Sequence, residues 1–156
     1  MRRDRRRTLA VAAVVLFILA LTITPNGGPK DVQLRPFAAI GRAFTDPADR
    51  SNLANVPANI LLFLPFGAVL AFAGVRAWRA VLVGAAFSAT IEIVQLAIPG
   101  RFTSVDDVIL NTTGTVLGVI AWKLYAWRRR RRAGALLQGG QRRGAGAVER
   151  GGLENR

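Results

Sequence analysis

Glu92, Gln95, Asp107 and Asn111 lie inside or at the edge of two strongly apolar segments between Asn59 and Gly118. A carboxylate placed in hydrocarbon costs a few kcal/mol even on lenient insertion scales, so such groups cluster and serve a purpose. Two chemistries are open to them. In the first, Glu92, Asp107 and Arg101 supply charge complementarity to a bound polar group, while Asn59, Ser88, Gln95 and Asn111 supply hydrogen bonds. In the second, Glu92, Asp106 and Asp107 act as acid and base or as oxygen ligands of a divalent cation. The chain contains no cysteine and no histidine, which excludes imidazole catalysis and thiolate metal sites. No nucleotide-binding or coenzyme loop is visible, so no cofactor is expected, and no clear nucleophile supports the enzymatic reading.

Spacing brings these residues together. Glu92 and Gln95 are i, i+3, and Ser88 extends the same helix face by one turn. Asp107 and Asn111 are i, i+4. Arg101 sits in the short loop between the two segments, within reach of several carboxylates. Structural roles compete with the functional ones. Asp106 reads equally as an N-cap, Asp107 as a charge favouring a helix N-terminus, and Asn59 as a cap or a solvated amide. Glu92 also reads as one half of an ion pair with Arg101. Packing residues accompany the polar ones: Gly114 and Gly118 form a G-x-x-x-G, Gly84 and Ser88 a small-x-x-x-small, and Pro65 and Gly67 interrupt the second apolar segment.

The elements that must position these groups follow from composition. Of 156 residues, 51% are hydrophobic, yet 22 Lys and Arg against nine Asp and Glu leave a net charge of +13. The arginines flank the apolar blocks, which argues for a membrane protein and against nucleic acid as the partner. Four apolar segments stand out, at about 8–24, 57–75, 80–98 and 105–127, each long enough to span a bilayer, the first at the lower limit. The first reads as an uncleaved helix; a signal peptide or a twin-arginine signal is the alternative. The fold class expected is therefore all-α: a four-helix transmembrane bundle over residues 8–127. A basic cytoplasmic segment precedes it at 1–7, and a disordered basic tail follows at 133–156. Pro57 falls in the first turn of the second segment. Phe37, Ile40 and Phe44 mark one apolar face of a short interfacial helix in the first outer loop, with Arg42 on another face.

Arginine placement sets the orientation. Arg2 to Arg7, Arg76 with Arg79, and Arg128 to Arg132 share one side, expected to be the cytoplasm, so both termini lie inside. Trp78, Trp122, Tyr125 and Trp127 form an aromatic belt there, and the arginines should attract anionic lipid. Asn59, Glu92, Gln95, Asp107 and Asn111 then gather near one level beneath the outer surface. Thr103 reads as an outward, label-accessible loop position.

Several of these residues also occur in a familiar order. Asn59-Ile-Leu-Leu-Phe63-Leu-Pro65-Phe-Gly67, Ser88-x-x-x-Glu92-x-x-Gln95, and Arg101-x-x-x-x-Asp106-Asp107-x-x-x-Asn111-x-x-Gly114-x-x-x-Gly118 resemble the VanZ-like family. Leu34-Arg35-Pro36-Phe37 is similar to its short Pro-Phe element, with Arg35 less typical. The resemblance covers 34–121. It implies a small polytopic protein of the bacterial cell membrane with an envelope role. The namesake accompanies glycopeptide resistance genes and is associated with tolerance of teicoplanin, a lipid-bearing antibiotic. The family implies no established reaction.

The leading expectation is a protein that binds a membrane lipid headgroup or a lipid-linked cell-wall intermediate in an outer-leaflet polar pocket. A membrane-embedded enzyme acting on a lipid headgroup is the alternative. A proton-coupled transporter, with Glu92 titrating, is the third; four helices make a narrow bundle, so that reading calls for a homo-oligomer.

Overall fold

A computed structural model describes residues 2–23, 31–45, 50–98 and 102–153. The chain is almost entirely helical. In order it forms α1 (Arg2–Ile23), β1 (Asp31–Gln33), α2 (Ala38–Thr45), α3 (Arg50–Ala73), α4 (Ala77–Leu96), β2 (Phe102–Ser104) and α5 (Val105–Leu153). It divides into two compact units, Met1–Trp122 and Lys123–Arg156.

The first unit is an inside-out solid. Ser88, Glu92, Gln95, Asp106, Asn111 and Thr115 are buried, while Leu16, Phe17, Leu61, Leu82, Ile93, Leu117 and Ile120 are exposed. Water would penalise such an exterior severely; acyl chains do not. Three helical stretches are long and apolar enough to cross a bilayer: Ala54–Phe72, Ala77–Leu96 and Val105–Gly134. The chain is an all-α, multi-pass membrane protein. Helices α1, α3, α4 and α5 supply the four expected long helices, but length and apolarity alone mark only three as spans. The apolar part of α1, from Thr8, extends about 24 Å at 1.5 Å per residue, against a hydrocarbon core of about 30 Å.

The core is small and aromatic. Phe63, Phe66 and Phe87 form a triangle with centroids 5.2 to 5.9 Å apart. Ile18, Leu70, Ala80, Ile91 and Val119 complete the cluster. The helices close on it because glycine lets backbones touch. A Cβ added at Gly67 would fall on the Thr115 carbonyl of α5; at Gly114 or Gly118 it would fall on the Ile60 or Leu64 carbonyl of α3. At Gly84 it would strike the Thr115 side chain. Thr115 is thus the point where α3, α4 and α5 meet, and its hydroxyl donates to the Asn111 carbonyl (3.0 Å). Pro57 and Pro65 both lie within α3. Pro65 lacks the N–H that would bond the Leu61 carbonyl.

The α3–α4 turn is built by its backbone. Gly74 adopts φ +91°. Its N–H donates to the Ala71 carbonyl (3.1 Å), and the Val75 N–H donates to Leu70 (3.0 Å), the Schellman arrangement. Two residues later α4 begins, which keeps Arg76 and Arg79 in one tight corner.

Several expectations need correction. Helix α3 begins at Arg50, so Pro57 and Asn59 lie about two turns inside it. The polar stretch Arg50–Asn55 continues the helix because nothing in it breaks one. The short helix of the first loop exists as α2 and packs on α3, but Phe37 precedes it, with φ +63°, and is exposed. The side chains of Arg42 and Phe44 fall outside the described residues. Thr103 is buried, not outward. It belongs to β2, which pairs in parallel with β1: Asp31 faces Phe102, Val32 faces Thr103 and Gln33 faces Ser104. No alternation of residue types announces three-residue strands.

In the second unit, α5 runs helically through Leu153, where the sequence predicts disorder from 133. Arginine, alanine, leucine and glutamine are good helix formers and no proline intervenes; the glycines are the only opposition. Tyr125 and Trp127 are exposed, and the Arg131 guanidinium lies 4.0 Å over the Trp127 ring.

Candidate functional site

The polar residues meet where α1 ends, α4 ends and α5 begins. Glu92 lies one turn before the end of α4 and is 7% exposed. Its Oε2 accepts the Ser104 N–H at 3.0 Å, which ties α4 to β2. One turn deeper on α4, the Ser88 Oγ accepts from Asn111 Nδ2 at 2.8 Å, which ties α4 to α5. Gln95 points the other way; its Nε2 donates to the Thr22 carbonyl at 2.7 Å. That carbonyl is in the last turn of α1, where backbone acceptors lack helical partners. Asn59 Nδ2 donates to Asp107 Oδ1 at 2.6 Å and links α3 to α5.

Asp106 has a role that its sequence position conceals. It does not cap its own helix. Ser104 does that, its Oγ accepting the Asp106 N–H at 3.1 Å. The Asp106 carboxylate instead reaches the first loop. Oδ1 accepts the Phe37 N–H at 2.5 Å and Oδ2 accepts the Ile40 N–H at 3.1 Å. A fully buried aspartate therefore satisfies the N-terminus of α2, where both the orphan amides and the helix dipole favour a negative charge. The left-handed φ of Phe37 turns its N–H toward that carboxylate.

The result is a cap at this end of the bundle. The β1–β2 pair and the Asp106–α2 contact bind the first loop to the α4–α5 junction, and Glu92 and Ser104 brace the junction from beneath. Two buried atoms here have no hydrogen-bond partner: Asn111 Oδ1 and Thr103 Oγ1. Both belong to residues at most 6% exposed.

The family follows from these parts. The VanZ/LLP1 family model matches residues 8–126, which contain every side chain of the cluster. The chain belongs to the VanZ/LLP1 family. Comparison with curated proteins and with solved structures returned no match.

Within this VanZ/LLP1 chain, the structure joins Asn59 to Asp107 and Ser88 to Asn111, and sets Glu92 and Gln95 on different partners. Arg101 lies outside the described residues. The carboxylates of Glu92, Asp106 and Asp107 are engaged with separate partners, and among the described residues no three acidic, His or Cys groups gather in a metal-holding arrangement. Sequence reasoning missed Ser104, the buried hydroxyl of Thr103 and the Thr22 carbonyl. Ser104 had a readable signal, since Ser two residues before Asp106 opens an apolar run. The Thr22 carbonyl had none.

Proposed function

We propose that this VanZ/LLP1 protein sits in the bacterial cell membrane with both termini in the cytoplasm. Its buried polar cluster, facing the exterior leaflet, would bind the headgroup of a lipid or of a lipid-linked cell-wall intermediate. The observation that carries this reading is the pair of unpartnered atoms, Asn111 Oδ1 and Thr103 Oγ1. Asn111 bonds Ser88, one turn from Glu92 on α4, and Thr103 precedes Ser104, whose N–H Glu92 accepts. A buried acceptor left unmade costs about 1–3 kcal/mol. A membrane protein that keeps two at one end of its bundle has a use for donors, and the hydroxyl or amine groups of a headgroup are donors of that kind. The family's association with tolerance of a lipid-bearing glycopeptide fits an envelope lipid as the ligand class.

Lipid co-purification tests it. Wild-type protein should retain a defined lipid species through purification, read by mass spectrometry. Glu92→Gln keeps an oxygen for the Ser104 N–H and removes the charge, so it should insert and fold yet lose that lipid. Identical lipid profiles for the two proteins would discard the reading.

A further inference from the structure

The arginine-rich end of the bundle, opposite the polar cluster, carries a groove between α1 and α3. Asp4, Arg7, Thr8, Val11, Ala12 and Val15 line it with Ala73, an open space of about 480 Å³. That volume falls in the roughly 300–1,000 Å³ range of small-molecule clefts. Its polarity is graded. Asp4, Arg7 and Thr8 stand at one end, and Val11, Ala12 and Val15 continue as an apolar wall over about 6 Å of helix rise.

Arg7 is held for a task it does not complete. Its guanidinium lies 6.0 Å from the centroid of the Phe72 ring. Phe72 in turn makes an edge contact with Trp122, at 5.1 Å and 76°. The Phe72 ring flanks the fork, and Nε is buried without a hydrogen-bond partner. Asp4, mostly exposed, meets the guanidinium through Nη1, at 3.9 Å. The Thr8 hydroxyl is turned back onto the Asp4 carbonyl. The apolar span of α3 ends at Phe72, so Arg7 stands at the hydrocarbon boundary, the level of lipid phosphates. Arg5, Arg6, Arg76 and Arg79 crowd the same end. Asp4 is the one acidic residue within 2–23 and 73–79, so the local field is positive.

We propose that this groove is a binding site for an anionic phospholipid of the adjacent leaflet. The phosphate takes the two Nη donors of Arg7 end-on, a bidentate geometry that guanidinium offers and ammonium does not. One acyl chain lies along Val11, Ala12 and Val15. This site is separate from the polar cluster and does not depend on its ligand.

Titration of the purified full chain with phosphatidylglycerol or phosphatidylcholine of identical acyl chains, read by native mass spectrometry, tests the proposal. Wild type should hold one phosphatidylglycerol about five- to tenfold more tightly than phosphatidylcholine. Arg7→Gln should abolish the preference, and Arg7→Lys, which keeps charge but not the fork, should retain only part of it. Ala12→Phe fills the wall and should weaken both lipids while leaving every charge in place. Arg130→Gln, outside the groove, should change nothing. Equal retention of the two lipids by wild type means an unselective annular lipid and overturns the proposal. So does an undiminished preference in Arg7→Gln, which would assign the effect to the general basic surface. Should Arg7→Gln fail to insert, Ala12→Phe decides: unaltered binding there also overturns it.

Discussion

The Asp106 carboxylate accepts the backbone N–H of Phe37, a residue 69 positions earlier in the chain. With the neighbouring contact to Ile40, this single side chain anchors the first loop to the last membrane helix. The Pro-Phe element and the acidic pair, distant in sequence, are two halves of one joint.

Asp106→Ala should release that joint. Loss of a helix N-cap costs about 1–2 kcal/mol, here concentrated on α2. Amide hydrogen exchange of 31–45 should rise strongly, while exchange in α4 stays near wild type. Asp106→Asn keeps one acceptor oxygen and should fall between. Unchanged protection of 31–45 in Asp106→Ala would refute the anchoring role.

The Ser88–Asn111 contact predicts an asymmetry. Ser88→Ala strands Asn111 Nδ2 beside an oxygen that already lacks a partner, whereas Asn111→Leu removes both amide atoms at once. Ser88→Ala should therefore destabilise more than deletion of its hydroxyl alone suggests, by about 1–3 kcal/mol. The double variant should show a coupling of roughly 0.6 kcal/mol, the average for interhelical hydrogen bonds in membranes. Thermal unfolding in detergent measures both.

Glycines separate by what surrounds them. Gly67→Ala and Gly118→Ala drive a methyl into backbone of the facing helix, which cannot step aside as a side chain can. Each should cost about 2 kcal/mol or more. Gly41→Ala, in α2 with open space around it, should be neutral or stabilising by up to about 1 kcal/mol. Similar melting temperatures for all three variants would contradict the close α3–α5 contact.

Sidedness is open to cysteine labelling, because the chain has no native thiol. A cysteine at Leu34, which is exposed, should react with a membrane-impermeant maleimide in intact cells. One at Arg76, exposed at the opposite end, should react only after lysis. A cysteine at Thr103 should react slowly in either case, because Thr103 is buried. Labelling of Arg76→Cys from outside would reverse the proposed orientation.

Much of this arrangement was readable before any coordinates. Apolar length announced the helices. The cost of burying Glu92, Asn111 and Gln95 announced that they face inward, their i, i+3 and i, i+4 spacing set them on shared helix faces, and their positions along the apolar segments placed them at one end. What escaped was the identity of the partners. Glu92, Gln95 and Asp106 bond to main-chain groups of Ser104, Thr22, Phe37 and Ile40. Every residue but proline carries such a donor, and all carry such an acceptor, so side-chain types say nothing about which is used. Asp106 illustrates the trap. Its position one residue inside α5 fits a local helix-start signal, and a long-range contact uses the same carboxylate. The β1–β2 pair was invisible for a related reason: three residues are too few for an alternation to register.

The parallel pairing of β1 with β2 also constrains how the protein is made. At roughly 5–20 residues per second, a ribosome needs about 3–14 s after emitting Phe37 before Asp106 exists to receive it, 69 residues later. During that interval the segment carrying β1 and α2 has neither its strand partner nor its anchor. The cover over the membrane-buried polar groups thus closes late, and a chain arrested before β2 would carry Glu92 without the Ser104 amide that it holds in the finished molecule.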